Sequence, residues 1–432
     1  MIGGSSPTDS VIVVGAGPAG ATAARALAQR GIPVRLLDRA AFPRNKPCGG
    51  GISLRVLARF PYLERALGVI GTHVVSRLYL EGPDGDATVV LSDVPAALMI
   101  RRVEFDALLV SLAQHAGAEL VTGAEIVQAS QDDNGVTLAA RDGRRFRAPI
   151  VIAADGVHSV VARRLGINPG WSASAVALDM MEETPRSLLR DVDPTTLWVS
   201  YGFSPDGSRA SDTTRAPEGY AYIFPKRDHV NIGIGYVLSH YRAALARPPY
   251  ELQRSFIAAL RSRGIVVGDS VRANFTPFLI PVGGPLRHPA RGRVLLAGDA
   301  GGFVNGFTAE GIYYAMVSGD LAAAAVAGGG GVATLAWRYR RACDYEIGAE
   351  LRDSVIIQRY LFANRRRIAA VIEGTRREPA TTREILEFAV GRRSYRSLRR
   401  RLLARSPLLA GRLICERLRN FFSAPGWRRP RI

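Results

Sequence analysis

The chain has 432 residues, 47% of them hydrophobic, and a formal charge of +19. It is long enough for two or three domains and too apolar for a disordered protein. Its three cysteines, Cys48, Cys343 and Cys415, form no CxxC pair; this argues against a disulfide framework or a metal site and fits a reducing, cytoplasmic setting.

The opening residues MIGGSSPTDS lack a basic segment followed by an apolar one, so no signal peptide is expected. The first apolar run, Val11 to Val14, leads into GAGPAG, a stretch of helical composition, and a second run from Val34 to Leu37 that ends on Asp38. The pattern predicts strand, glycine turn, helix, strand and acid. Gly15 makes the turn, Gly17 lets amides approach a pyrophosphate, Gly20 allows close helix packing, and Asp38 accepts from a ribose hydroxyl, with Ala19 and Arg39 beside them.

Farther along comes NKPCGGG at positions 45–51, which sets Cys48 before Gly49, Gly50 and Gly51 and beside Lys46, one of only two lysines. RVEFDALL at 102–109 follows; taken alone, its Arg102 reads as a surface helix arginine. Two further buried-type strands are expected at 150–155 (IVIAAD, then Gly156) and 294–299 (VLLAGD, then AGGFVNGFTAEGIYYAM). Between them, the aromatic interval 176–284 is expected to form an antiparallel sheet; it contains GYAYIFPKRDHVNIGIG at 219–235 and the second lysine, Lys226.

No membrane-spanning helix is expected, because the apolar stretch 321–337 falls short of the ~20 residues a bilayer requires and is interrupted by Gly328 to Gly331. The rest should be helical. Residues 391–432 hold thirteen arginines against one acid, Glu416, and so carry +12 of the +19. Their leucines recur at near-helical spacing, which suits a helix on an anionic membrane surface or one packed on its own domain more than a nucleic-acid arm.

GAGPAG, IVIAADG and VLLAGD in this order resemble the three fingerprints of the flavoprotein superfamily that includes p-hydroxybenzoate hydroxylase and the geranylgeranyl reductases. The resemblance implies FAD, held with the help of Arg102, Asp155, Gly156, Asp299, Gly301 and Gly302. It also implies an α/β fold: a Rossmann-like FAD-binding domain of the p-hydroxybenzoate hydroxylase type, discontinuous over 1–75, 95–175 and 285–335. An α+β substrate-binding domain with an antiparallel sheet would take 76–94 and 176–284, and 336–432 would be a helical basic region.

The chemistry turns on two stretches. FPRNKPCGGGIS resembles the PCGGG signature of geranylgeranyl reductases, and Tyr220, Tyr222, Phe224, Pro225, Gly233 and Gly235 follow that family's substrate-domain pattern. Tyr222 stands where the family usually has tryptophan; in NGFTAEG, Gly306 replaces a proline and Ala309 a glycine. The resemblance implies reduction of isoprenoid double bonds in a prenyl lipid or prenyl diphosphate, with NADPH or ferredoxin as donor; attachment at the inner face of the cell membrane is expected from the arginine-rich stretch 391–432. A monooxygenase or halogenase of the same superfamily is the rival reading, but the chain has YAYIFP where halogenases show a Trp-x-Trp-x-Ile-Pro motif. Cys48 is then either a proton donor, its thiol kept protonated by apolar surroundings, or the group that holds alkene and flavin in register; on its own it reads as a small packing residue. The two lysines are expected at the mouth or floor of the substrate site, near head groups or donor phosphates. The sequence indicates no oligomeric state.

Overall fold

The computed structural model describes residues 10–91, 95, 97–188, 193–201, 203, 218–377 and 387. The first apolar runs form a six-stranded sheet in the order Ala290–Arg291, Val294–Leu296, Val151–Ala153, Val11–Val14, Val34–Leu37, Glu119–Val121. All neighbours are parallel except the short edge pair Ala290–Arg291 with Val294–Leu296. Continuous Val, Ile and Leu runs suit strands buried on both faces. Val13, Leu36, Ile152 and Leu295 face the helices Pro18–Ala28, Arg102–His115 and Ile312–Ala327, whereas Ile12, Leu37, Val151 and Val294 face the other way.

What covers that second face is an antiparallel meander, Ile126–Asp132, Gly135–Ala140 and Arg145–Ala148, which the sequence reading did not single out. Its signal was present in Asn134-Gly135, a dipeptide that favours two-residue hairpins. Asp132 closes the turn by accepting from the amides of Asn134 and Gly135 at 2.8 and 2.9 Å.

The aromatic interval forms a seven-stranded sheet in the order Phe275–Ile280, Ala177–Pro185, His229–Val237, Gly219–Pro225, Thr196–Tyr201, Arg77–Glu81, Ala87–Leu91. It departs from the expected antiparallel sheet at one pair: Thr196–Tyr201 runs parallel to Arg77–Glu81, where two distant chain segments meet. Side-chain alternation divides its faces. Trp198, Ala221, Ile223, Ile232 and Ile234 pack on the helix Pro249–Ser262, and Leu78, Leu80 and Val199 on the opposite face receive Phe362, Ile368 and Ile372 from the C-terminal helices.

The helices Val332–Cys343, Ala349–Phe362 and Arg365–Arg377 therefore belong to the body of the protein. The first is tied to the six-stranded sheet by Tyr339, whose hydroxyl donates to the Leu296 carbonyl at 2.6 Å. Cys415 and the arginine-rich stretch 391–432 lie outside the described residues.

Gly319 lets the helix Ile312–Ala327 approach the helix Pro18–Ala28 closely. A Cβ there would lie 2.1 Å from the backbone oxygen of Ala19, in the first turn of Pro18–Ala28. Gly319→Ala should therefore force the two helices apart and lower stability by about 1–3 kcal/mol. An unchanged denaturant midpoint with unchanged slope would show that the contact relaxes freely.

Candidate functional site

Between the two large sheets lies a cavity of about 1350 Å³, larger than the ~300–1,000 Å³ of ordinary small-molecule sites. Its walls include Gly15, Gly17, Ala19, Asp38, Arg39, Cys48, Gly49, Gly50, Arg102, Asp155, Gly156, Asp299, Tyr220, Tyr222, Phe224 and Gly235. The other expected residues, Gly20, Pro225, Lys226, Gly233, Gly301 and Gly302, stand behind the wall.

At one end, the turn after Val11–Val14 opens onto the cavity. A Cβ on Gly17 would meet only an Arg44 guanidinium nitrogen, at 3.8 Å, and one on Gly156 would meet nothing within 4 Å. Backbone amides at the start of Pro18–Ala28 are thus approachable by an anion, which the helix dipole favours. Asp38 accepts from the amides of Ala16 and Ala40 at 2.8 and 2.9 Å, and its oxygens keep lone pairs for a ribose hydroxyl. Gly311, Ile312 and Ala315 bring the start of a second helix, Ile312–Ala327, to the same wall beside Asp299. This cradle, two helix N-termini and an acid around an elongated space, fits FAD. Gly301 and Gly302 serve instead to pack the turn: a Cβ on Gly301 would strike Phe303, and one on Gly302 the carbonyl of Gly284 and the Trp171 ring.

Arg102 is not a surface arginine. Only 9% exposed, it forms a bidentate pair with Asp106 at 2.7 and 2.8 Å. Asp155 spends its oxygens on the Ser159 hydroxyl and the amides of Val160 and Val161, capping the short helix Val160–Arg164.

The glycines after Cys48 are bare because protein, rather than ligand, occupies the space their side chains would take. A Cβ on Gly49 would lie 2.8 Å from the Phe224 ring; one on Gly50, whose φ is +79°, would lie 2.2 Å from the Ile100 carbonyl. The loop is held from above. Lys226 and Asn231, both fully buried, each donate to the Cys48 carbonyl at 3.2 Å, and Lys226 also pairs with Glu183. Lys226 is thus an internal tie. It does not stand at the mouth or floor of the substrate site, because its ammonium is 0% exposed and already engaged. Lys46 does line the cavity, its ammonium 4.5 Å from the centre of the Phe278 ring; burial, followed by the charge of Arg102, lowers its pKa.

Alternation along Gly219–Pro225 turns Tyr220, Tyr222 and Phe224 toward the cavity. Tyr222 lies over Gly233, where a Cβ would come within 2.4 Å of its hydroxyl, and donates to Asp179 at 3.0 Å. Sequence reasoning missed Asp179, whose only signal is one acid inside the otherwise apolar AVALDMM. It also missed Glu183, Asn231 and the C-terminal wall of Phe362 and Ile372. The Cys48 side chain packs against the apolar core, and the Gly50 amide donates to its sulfur at 3.4 Å. The two family departures in NGFTAEG are also accommodated. Gly306 donates its amide to Ser354 at 2.8 Å, which proline cannot do, and Ala309 sits at φ +57°, a conformation glycine adopts more cheaply.

Burial raises the pKa of Asp179 from 3.8 to about 7, against the opposing effects of the Tyr222 hydrogen bond and the Lys46 charge. A carboxyl whose folded pKa exceeds its unfolded one stabilises the fold fully below the unfolded value and loses that contribution as pH rises through the folded value. The contribution of Asp179 to stability should therefore be lost between pH 3.8 and about 7, and Asp179→Asn should change the pH dependence across that window by about 4 kcal/mol relative to the wild type. Parallel stability profiles for the two proteins across this window would contradict it.

Among known sequences, residues 8–230 match the FAD binding domain family. A menaquinone reductase of Mycobacterium tuberculosis is 33% identical over 328 residues, covering 72% of this chain and 75% of that protein. A digeranylgeranylglycerophospholipid reductase of Methanocella arvoryzae is 32% identical, covering 72% and 76%, and a chloroplastic geranylgeranyl diphosphate reductase of Oryza sativa is 31% identical, covering 74% and 66%. In structure, a geranylgeranyl bacteriochlorophyll reductase-like protein of Thermoplasma acidophilum shares the fold with a TM-score of 0.72 at 21% identity, covering 85% of this chain and 91% of its own. A flavin-dependent brominase shares it at 0.65 and 17%, covering 89% and 94%. With the cradle, the PCGGG loop and these sequence matches together, the chain belongs to the geranylgeranyl reductase family of FAD-dependent oxidoreductases.

Proposed function

We propose that this protein reduces isoprenoid carbon–carbon double bonds of a prenyl lipid or prenyl diphosphate. One observation carries the reading: the cavity that begins at the nucleotide cradle continues into a compartment walled by Leu80, Val199, Tyr201, Phe307, Phe362 and Ile372. A trisubstituted alkene offers no charged handle, so its binding depends on apolar contact, shape and the exclusion of water. FAD, when bound, supplies a hydride to one alkene carbon.

The chain's own residues supply the rest. The cradle of Gly15, Gly17 and Asp38 orients the cofactor, with Asp155 and Asp299 near it. Tyr220, whose hydroxyl donates to the Thr308 carbonyl at 2.8 Å, joins the seven-stranded sheet to the segment before Ile312–Ala327 and closes one side of the compartment. Cys48, accepting from Gly50, suits the role of holding the alkene in register better than that of proton donor. The two sheets correspond to an FAD part and a substrate part, the C-terminal helices completing the latter. Electrons come from NADPH, or from ferredoxin, docking transiently; the sequence has no second GxGxxG to hold a donor nucleotide.

Anaerobic turnover tests this reading, since reduction needs no oxygen whereas a hydroxylase or halogenase does. Lipids of an expressing host should gain two hydrogens per saturated bond, read by mass spectrometry. Cys48→Ala should retain FAD and accept electrons but saturate prenyl chains at least tenfold more slowly, about 1.4 kcal/mol of transition-state stabilisation. Oxygen-dependent insertion of oxygen or halogen into the product would overturn the assignment.

The arginine-rich stretch 391–432 supports a second part of the proposal, peripheral attachment at the inner face of the cell membrane, where prenyl lipids reside. No helix among the described residues is long and apolar enough to cross a membrane. The full-length protein should float with anionic liposomes and a chain ending at Gly391 should not; equal flotation, or a preference for DNA, would refute attachment through this stretch.

A further inference from the structure

Saturating a double bond requires a proton as well as a hydride. On the cavity wall the structure holds a pair suited to supply it. Asp179, the third residue of Ala177–Pro185, is 5% exposed, and its Oδ2 accepts from the Tyr222 hydroxyl. Its Oδ1 is buried with no hydrogen-bond partner among the described residues. An unpartnered oxygen this deep is costly as a carboxylate and tolerable as a carboxyl. The residues opposite it in the neighbouring strands, Gly235 and Phe278, bring no charge. The titratable groups that face it are Tyr222, from Gly219–Pro225, and Lys46, from the loop before Cys48.

We infer that Tyr222 is the proton donor to the alkene and that Asp179 is the positioning residue that resupplies it, an assignment that rests on the prenyl-reducing function proposed above. As the hydride from the reduced flavin forms one C–H bond, the alkene's π pair takes the Tyr222 hydroxyl proton to form the second. With Asp179 protonated on Oδ2, the contact between the two oxygens is donated by the carboxyl and the Tyr222 hydroxyl proton is free to turn to the alkene; the O–H bond of Tyr222 then breaks while the Oδ2 proton moves to the phenolic oxygen, leaving a neutral tyrosine and a carboxylate that solvent reprotonates between turnovers. Concerted transfer is required because burial, and then the charge of Asp179, hold the Tyr222 hydroxyl well above the ordinary phenol range, so a free tyrosinate is disfavoured.

The test uses the holoenzyme and, independently, the protein without substrate. Tyr222→Phe and Asp179→Asn should each slow flavin reoxidation by a prenyl substrate about a hundredfold, the usual contribution of a general acid, while reduction of the flavin by its donor is unchanged. The wild-type alkene step should lose rate as pH rises past about 7, and Asp179→Asn should abolish that limb while Asp179→Glu restores it. Infrared titration without substrate should show a protonated carboxyl band with a midpoint near 7. That band should be absent in Asp179→Asn and shifted to higher pH in Tyr222→Phe, because the tyrosine hydrogen bond favours the carboxylate. Full alkene turnover in Tyr222→Phe, or an Asp179 midpoint in the ordinary carboxylate range, overturns the inference. Wild-type protein that reduces no prenyl alkene sinks the proposed function instead, and the infrared result still decides the state of Asp179.

Discussion

The site depends on a single backbone oxygen. The Cys48 carbonyl accepts from two fully buried side chains, Lys226, just past the strand Gly219–Pro225, and Asn231, in the neighbouring strand His229–Val237. A buried ammonium is tolerable only when paired, and Glu183, itself bonded by Arg101 at 2.8 Å, supplies the counter-charge. Burial pushes Glu183 upward, yet Lys226 and Arg101 outweigh it and hold the carboxyl below its ordinary range. Such a network adds little net stability against an apolar alternative. What it does is set register: the PCGGG loop, which belongs to the nucleotide-binding half, is fastened to the sheet that faces it.

That fastening explains why lysine persists here in a chain where 55 of 57 basic residues are arginine. A Cβ on Gly50 would already lie 3.0 Å from the Lys226 ammonium. The space admits a compact point charge and leaves no room for a planar guanidinium. The glycines of the loop have the same origin, since they make way for Phe224, the Ile100 carbonyl and Lys226 itself.

With the loop placed, strand alternation does the remaining division of labour. In GYAYIFP, the residues Tyr220, Tyr222 and Phe224 line the cavity while Ala221 and Ile223 enter the core beneath the helix Pro249–Ser262. The same two-layer frame occurs in a brominase of 17% identity, so the frame does not choose the chemistry. Side chains on the cavity face do, and here they are aromatic, apolar and joined to one buried carboxyl.

Much of this was legible in the chain itself. Val11–Val14, the glycine turn and Asp38 depend on residues within one local unit, where spacing and backbone sterics suffice, and the continuous apolar runs at 150–155 and 294–299 declare strands buried on both faces. The family, the cofactor and the aromatic cavity strand followed from such local patterns together with the resemblance they carry. The parallel pair between Thr196–Tyr201 and Arg77–Glu81, the wall contributed by Phe362 and Ile372, and the tie between Lys226 and Cys48, 178 residues apart, did not. Pairing between distant segments leaves no periodic trace, because each partner alone reads as an ordinary buried or charged residue. Asp179 shows the same limit: its sequence contains an aspartate in a strand, but only the fold removes water from around it, sets Tyr222 against one oxygen and leaves the other unpartnered.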